Sequence, residues 1–481
     1  MKPTRANSPR MVTPLNVHQM VRLMGQWGLG EGALHTQLAS HLRMLVVSGR
    51  LAAGVRLPSE RSLAEALDVS RNTVGAAFDE LRGDGILTSR RGDGTYVSSA
   101  RQFLGIRGDD RFESFLATTD GIGSRIDLRS AALPGLRLVV DAASIVGPEL
   151  APLVESHGYL PEGLPALRVE VAGYYSSIGL PTTPDQILIT SGAQQAMRMA
   201  AVSMLEPGSV ALVEEPSFRG AIEVLRAAGA RLEPIRRGPH GIETAELTAA
   251  VRRTKPKLLV MQSTVHNPTG SVMNAGRRRQ LALTATTLGL TVLDDTTLAD
   301  AMIDGPPATP MAAWGPGVIT VGSVSKSFWG GLRVGWLRAD PATVASLASI
   351  KAGEDLGTSL LAQVTTARLL PRIDEARAER SRVLGAARDL VLTSLAEHLP
   401  EWEPVVPAGG ASLWVRLPAS VATSLVQRAE RLGVQLLPGP TFSCIDAFDD
   451  HLRIGFAADH GQLLAGVGAL AEAWRIVGHR A

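Results

Sequence analysis

Short apolar runs that alternate with helical stretches constrain the fold of this chain more than any other feature. From about residue 125 onward the runs "QILIT", "VALVEE", "KLLVMQ", "LTVLDD" and "VITVGS" are separated by segments with helical periodicity. Strands of this composition are buried on both faces of a parallel sheet, and the intervening helices supply the cover. We therefore predict that residues 125–481 form a large α/β domain with a mixed, mostly parallel sheet.

Side chains with useful chemistry follow these predicted strands, where ligand sites form in α/β sheets. "SGAQQ" comes after the first strand and opens a helix whose backbone amides can hold an anion such as phosphate. The other candidates are Phe218 in "EEPSF", Asn267 in "NPTG", the pair Asp294 and Asp295 in "TVLDD", and Ser323, Ser325, Lys326 and Arg333 in "SVSKSFWGGLR".

Lys326 is conspicuous because only five of the 48 lysine and arginine residues are lysines. Pyridoxal 5′-phosphate needs an amine for its imine, a phosphate cradle, a ring that stacks on it and a carboxylate for its pyridine nitrogen. Lysine is the side chain that forms such an imine. Each motif alone is a weak signal, but together and in this order they predict a pyridoxal phosphate site.

Residues 125–480 resemble the fold-type I pyridoxal-phosphate enzymes, the aspartate aminotransferase superfamily. The resemblance implies that Lys326 is the Schiff-base lysine, that Asp294 pairs with the pyridinium nitrogen and that Asn267 hydrogen-bonds the 3′-oxygen. It further implies that Phe218 stacks on the ring and that the phosphate is held by Ala193, Gln194, Ser323, Ser325 and Arg333.

Two further positions are implied by the same resemblance. Arg453 in "HLRIGFA" matches the arginine that binds an amino-acid carboxylate, and Tyr159 in "HGYLPEGLPALR" matches a segment that reaches the neighbouring site in a dimer. The sequence departs from the family where a tyrosine is expected shortly after the pyridinium aspartate, since it reads "LDDTTLAD". Thr296 is expected to hydrogen-bond the cofactor in place of the tyrosine, but its hydroxyl cannot become a phenolate. A site without the phenol is expected to bind its cofactor better than it turns over.

The first hundred residues predict a smaller domain. Leucines at helical spacing indicate a helix over residues 32–49, Ser59 caps "ERSLAEAL", and Ser70 caps "RNTVGAAFDELRGDG". "ILTSRRGDGTYVSS" then alternates apolar and polar residues on either side of a turn, as a hairpin does. Three helices followed by a hairpin are typical of a winged helix-turn-helix, whose third helix enters the DNA major groove.

Residues 31–99 resemble the GntR-family winged-helix domain. Arginines at helix starts and in the wing can reach phosphates or guanine edges; they are Arg61, Arg71, Arg90 and Arg91. The resemblance implies DNA contacts by Arg61, Ser70, Arg71 and Gly94, together with Asn72 and Thr73 in the first turn of the recognition helix. Gly75 departs from the family pattern, which often has a larger or basic residue there.

The order of the domains resembles the MocR subfamily of bacterial transcription regulators. We expect a basic arm (1–30), a winged helix (31–99), a linker (100–124) and a pyridoxal phosphate-binding domain (125–481) in a cytoplasmic homodimer. The expected partners are double-stranded DNA and pyridoxal phosphate, alone or with an amino-acid-like effector. No metal site is expected, and a cysteine-rich one is excluded because Cys444 is the only cysteine.

Two alternatives remain open from the sequence. The chain could be a working aminotransferase with a fused DNA-binding domain, which the nearly complete set of catalytic residues favours. It could also be a DNA-binding scaffold whose large domain only dimerises, which the intact set around Lys326 argues against. The genes regulated and the sign of regulation are not indicated.

Overall fold

The computed structural model describes residues 15–25, 27–28, 32–47, 50–52, 54–84, 86–90, 93–98, 125–238 and 240–478. The predicted linker and the first half of the predicted arm lie outside these residues. Within them, no helix is both long and apolar enough to cross a membrane.

The N-terminal domain is a winged helix with one element more than the sequence pattern predicts. Its helices are α1 (Val17–Met24), α2 (Leu34–Val47), α3 (Glu60–Ala66) and α4 (Arg71–Gly83), and its wing is β1 (Leu87–Arg90) with β2 (Gly94–Val97). Helix α1 belongs to the segment expected as a basic arm. It is ordered because Met20 and Met24 are fully buried in the core of this domain, and because Asn16 and Gln19 form a capping box.

Seven strands form the central sheet of the large domain. They are β4 (Ile187–Thr190), β5 (Val210–Glu215), β6 (Arg231–Arg236), β7 (Leu258–Met261), β8 (Thr291–Asp295), β9 (Val318–Ser323) and β10 (Gly335–Arg338). Their order is β4-β10-β9-β8-β7-β5-β6, and only β10 runs antiparallel to its neighbours. The structure thus confirms a mixed, mostly parallel sheet.

Helices cover both faces of this sheet, as its continuously buried strands require. They are α5 (Arg137–Ala143), α6 (Gly147–Val154), α7 (Pro165–Ser177), α8 (Ala193–Met204), α9 (Arg219–Ala227), α10 (Thr244–Thr254), α11 (Ala275–Thr287), α12 (Pro341–Glu354) and α13 (Leu360–Leu369). Among the described residues, three apolar cores lie between these helices and the sheet. One is centred on Trp336 and Tyr175, another on α8 and α9, and the third joins α10 and α11 to the strands.

The C-terminal part packs a small second sheet against long helices. Its elements are α14 (Ile373–His398), β11 (Glu403–Val405), β12 (Ser412–Arg416), α15 (Ala422–Arg431), β13 (Val434–Gln435), β14 (Leu437–Pro438), β15 (His451–Gly455) and α16 (His460–Val477). The small sheet has the order β11-β12-β15-β14, and β13 pairs with β3 (Ile126–Asp127). Strand β15 thereby carries Arg453 towards the carboxyl ends of the central strands.

Candidate cofactor pocket

A pocket opens at the carboxyl ends of the central strands, and Lys326 lies in it. Lys326 belongs to a π-helical turn, Ser325–Trp329, that follows β9 directly. Its Nζ donates a hydrogen bond of 2.9 Å to the backbone oxygen of Ala131. A π-helical turn is rare and is frequent at functional sites, because its wider ring re-aims one side chain.

The surroundings of Lys326 favour its unprotonated amine. Burial, which has the largest effect, and the nearby positive charges of Arg453 and Arg380 together lower the pKa of Lys326 to about 8, while Asp295 acts in the opposite direction. Removal from water disfavours the charged form of an amine, and a like charge adds to that effect. The side chain is therefore prepared to act as a nucleophile near neutral pH.

An anion cradle surrounds the start of α8. Gly192 precedes the helix with φ of +90°, so the amides of Ala193 and Gln194 begin the helix with no intrahelical acceptor. Arg333 approaches closely: its Nη2 donates to the backbone oxygen of Ser191 at 2.9 Å, and a Cβ on Gly192 would lie only 2.8 Å from that Nη2.

Two hydroxyls complete the cradle from the opposite side. Ser323 Oγ donates to the backbone oxygen of Val334 at 3.0 Å, and it lies 2.8 Å from Ser325 Oγ. Both serines line the pocket together with Ala193, Gln194 and Arg333. The structure therefore brings together all five residues expected around a phosphate.

The carboxylate in the pocket is that of Asp295, and the expectation for Asp294 changes accordingly. Successive residues of a strand point to opposite faces, and Asp295 is the member of the pair that lines the pocket. Asp294 is fully buried on the other side, where it accepts hydrogen bonds from the amide and the hydroxyl of Ser263 at 2.9 and 2.7 Å. Burial raises the pKa of both carboxyl groups.

Thr296 is also absent from the pocket lining, where it was expected to replace the missing tyrosine. Its Oγ1 donates to the backbone oxygen of Val321 at 2.8 Å, and it contacts the hydroxyl of buried Tyr175 on the far side of the strand. The lining positions after Asp295 are Thr297 and Leu298. The described pocket wall therefore contains no phenol, as expected. The residues that stand in its place are Thr297 and Leu298, and not Thr296.

Gln262 is a pocket residue that the sequence pattern did not predict. Its Nε2 donates to Asp295 Oδ2 at 2.9 Å, and its Oε1 accepts from the amide of Asn267 at 2.8 Å. Its own amide donates to buried Glu214 at 2.7 Å. One side chain thus fixes both the carboxylate and the segment of Asn267, and only its place at the end of β7 could have signalled this.

Phe218, Asn267 and Arg453 all line the pocket, as the sequence predicts, whereas Tyr159 is exposed outside it. Arg453 donates to the backbone oxygen of Arg129 and reaches Asn267 Oδ1 at 3.5 Å. Its guanidinium lies 5.0 Å from the centre of the Phe442 ring. Burial lowers the pKa of Arg453 to about 10.

The expected DNA contacts cluster at one end of the winged helix. Arg61, Ser70, Arg71 and Asn72 are exposed at the starts of α3 and α4, and Gly94 is exposed in the wing. Ser70 Oγ accepts from the amide of half-buried Thr73 at 3.0 Å, which caps the recognition helix. Arg91 and the side chain of Arg90 lie outside the described residues.

Two family models match this chain. The model for aminotransferase class I and II matches residues 138–470, and the model for bacterial regulatory proteins of the gntR family matches residues 34–97. The chain belongs to the aminotransferase class I and II family. Its N-terminal domain is a GntR-type helix-turn-helix.

Proteins of the same fused type are among the relatives of this aminotransferase-family chain. The HTH-type transcriptional regulator YisV of Bacillus subtilis is 28% identical over 467 residues, with 92% of this chain and 96% of the relative covered. The probable rhizopine catabolism regulatory protein MocR of Rhizobium meliloti is also 28% identical, with 77% and 78% covered. These matches confirm the predicted two-part architecture and its place among the regulators.

Proteins named as aminotransferases, and not as regulators, also match the large domain. The 2-aminoadipate transaminase of Thermus thermophilus is 32% identical over 321 residues, with 65% of this chain and 80% of the enzyme covered. The crystal structure of LysN from Thermus thermophilus, complexed with N-(5′-phosphopyridoxyl)-L-leucine, has a TM-score of 0.69 at 28% identity and covers 76% of this chain and 95% of that one. The aminotransferase fold of the large domain, with which pyridoxal phosphate use is associated, is confirmed.

Proposed function

We propose that this chain is a DNA-binding transcription regulator that senses pyridoxal phosphate. One observation carries the proposal: a desolvated lysine amine, a buried carboxylate and a five-residue anion cradle line a single pocket. When bound, pyridoxal phosphate supplies an aldehyde that a lysine amine can capture and a ring that draws electrons from an attached amino compound.

The residues present fit this cofactor. Lys326 would supply the amine, and the cradle of Ala193, Gln194, Ser323, Ser325 and Arg333 would hold the phosphate. Asp295 would pair with the ring nitrogen, Asn267 would hydrogen-bond the 3′-oxygen, and Phe218 would stack on the ring. The close approach of backbone at Gly192 supports the cradle, because any Cβ there would displace Arg333.

The pocket also supports an amino compound with a carboxylate as a second ligand. Arg453 is 5% exposed and its Nε has no hydrogen-bond partner among the described residues. A buried guanidinium binds a carboxylate through two parallel hydrogen bonds when the geometry allows. We therefore place the carboxylate of an amino-acid-like effector at Arg453.

Sensing is favoured over turnover by the composition of the pocket wall. Thr297 and Leu298 line the pocket after Asp295, where the family has a tyrosine. Neither side chain can supply a phenolate. The alternative, a working aminotransferase, is favoured by the intact pairing of Arg453 with Asn267 and by the similarity to 2-aminoadipate transaminase. Repeated conversion of the bound cofactor to its amine form by amino acids would support that alternative.

A short segment connects the pocket to the DNA-binding domain. On one side, Asp446 forms an ion pair of 2.5 Å with Arg22 of α1 and accepts a hydrogen bond from Asn16. On the other side, the backbone oxygen of Phe442 accepts from the amide of Ser217 at 2.8 Å, next to Phe218. Residues 440–446 can therefore respond to the pocket and shift the winged helix.

A homodimer would give the two winged helices that two half-sites require. Exposed apolar side chains lie on helices α5, α6 and α13 and on the segments beside them; they are Val140, Ile145, Val154, Tyr159 and Leu361. Burial of such a face between two copies would stabilise the pair. Sedimentation of the full chain would show the dimer.

Footprinting on the DNA upstream of the gene tests the proposed function. The full chain is compared with Lys326→Ala, each with and without pyridoxal phosphate. We expect specific protection whose affinity or extent changes with pyridoxal phosphate only when Lys326 is present. Absence of specific protection under every condition, together with repeated turnover of amino acids, would overturn the proposal in favour of the enzyme.

A further inference from the structure

Arg380 of α14 is a buried cation beside the π-helical turn that carries Lys326. Its side chain is buried with 3% exposure. Among the described residues it forms no ion pair, and its Nε and Nη2 donate to backbone oxygens instead. An arginine that is kept buried without a paired acid carries a cost in free energy, so its contacts indicate what it is retained for.

The three hydrogen bonds of Arg380 converge on the surroundings of Lys326. Nε donates to the backbone oxygen of Ser327 at 3.0 Å, and Nη2 donates to the backbone oxygen of Phe328 at 2.8 Å. Both acceptors belong to the π-helical turn that carries Lys326. Nη2 also donates to the backbone oxygen of Pro134 at 2.8 Å, three residues after the acceptor of Lys326 Nζ at Ala131.

We infer that Arg380 is a positioning residue for Lys326: its guanidinium fixes the π-helical turn that carries the amine. The planar fork suits this role, because it can bind several carbonyl oxygens in fixed directions. The inference rests on the proposed function in one respect, namely that the amine it prepares is the one that captures the aldehyde.

The electrostatic part of the role has a defined sign. Three charged groups act on Lys326: Arg453 from β15 and Arg380 from α14 lower its pKa, and Asp295 from β8 raises it. Removal of the Arg380 charge should raise the pKa of Lys326 and leave less free amine at neutral pH. The charge-conserving change Arg380→Lys should leave the pKa nearly unchanged but loosen the turn, since an ammonium cannot reproduce the fork.

Competitive acetylation of the full chain without cofactor tests this directly. The extent of acetylation of each lysine is followed by peptide mass spectrometry from about pH 6 to about pH 10, which spans the range of lowered and ordinary lysine pKa values. The chain has only five lysines, so Lys255 and Lys257 serve as internal references. Wild type is compared with Arg380→Met, Arg380→Lys and the control Arg382→Met, which removes one charge from the exposed side of the same helix.

We expect the midpoint for Lys326 in Arg380→Met to rise above that of wild type, with slower acetylation of Lys326 at pH values below the midpoint. Arg382→Met should match wild type. In Arg380→Lys the midpoint should stay in place while the reactivity of the free amine falls. Equal midpoints for Arg380→Met and Arg382→Met would overturn the electrostatic role. Should Arg380→Met fail to fold, unchanged Lys326 reactivity in Arg380→Lys would overturn the positioning role.

A second arm separates this inference from the proposed function. The same variants are titrated with pyridoxal phosphate, and the absorbance of the captured cofactor is followed. Slower capture by Arg380→Met than by Arg382→Met supports both proposals. Absence of capture by wild type overturns the proposed function alone, since the acetylation result needs no cofactor.

Discussion

At the scale of single residues, the negative charge in the pocket depends on which of two adjacent aspartates points into it. Asp295 faces Lys326, whereas Asp294 is satisfied by Ser263 on the other face of the strand. Asp295→Asn should weaken pyridoxal phosphate binding at least about tenfold, because the proposed partner of the ring nitrogen loses its charge. Asp294→Asn should mainly lower thermal stability. Absorbance titrations and melting curves of both variants measure this, and a reversed pattern would return the role to Asp294.

The pH dependence of cofactor capture also belongs to the residue scale. Lys326 reacts as the free amine, and its pKa is lowered to about 8. Capture of pyridoxal phosphate should therefore rise with pH through a midpoint near that value, and not near the ordinary lysine pKa. Stopped-flow absorbance at a series of pH values measures the midpoint. A midpoint close to that of an exposed lysine would show that the amine is not desolvated.

At the scale of elements, the recognition helix α4 contains a glycine that its geometry does not require. Gly75 has ordinary helical backbone, and a Cβ there would lie 3.8 Å from Glu60 Oε2, an ordinary contact. Gly75→Ala should stabilise the helix by about 0.5 to 1 kcal/mol, because alanine loses less backbone entropy on folding. Hydrogen exchange of the α4 amides in the full chain should slow accordingly. Faster exchange would indicate that the alanine disturbs the packing of α3 on α4.

At the scale of the whole molecule, the contact between the winged helix and the C-terminal part links the two sites. Arg22 pairs with Asp446 where side-chain exposures are 21% and 9%, and Trp27 Nε1 donates to Gln427 Oε1 at 3.0 Å in a buried position. Arg431 donates to the backbone oxygen of Asp68 at 2.9 Å. These contacts allow the two sites to influence each other, provided that the ligand binds two arrangements with different affinity.

Arg22→Met should uncouple the sites without removing either. Pyridoxal phosphate binding and DNA binding should each persist, while the change in DNA affinity on cofactor addition should fall towards zero. Arg253→Met is the matched control, since it removes a charge from an exposed ion pair with Glu233. DNA affinity is measured by fluorescence anisotropy with and without cofactor. Equal cofactor responses in wild type and Arg22→Met would exclude this contact as the link.

The sequence by itself determined the order of the two domains, five strands of the large sheet and the place of Lys326 directly after one of them. Those features depend on local signals: apolar runs, caps at Ser59 and Ser70, and a lysine directly after a strand. Such signals act between residues that are near in the chain, and the physical preferences behind them do not depend on the rest of the fold.

Only the tertiary structure decided which of Asp294 and Asp295 enters the pocket, how Gln262 joins Asp295 to Asn267, and that Arg380 supports the turn of Lys326. It also showed that α1, within the segment predicted as an arm, is a helix packed on the core of the N-terminal domain. Each of these depends on residues far apart in sequence, such as Arg380 and Pro134. The side to which a strand residue points is set by register against neighbouring strands, and a shift by one residue exchanges the two faces.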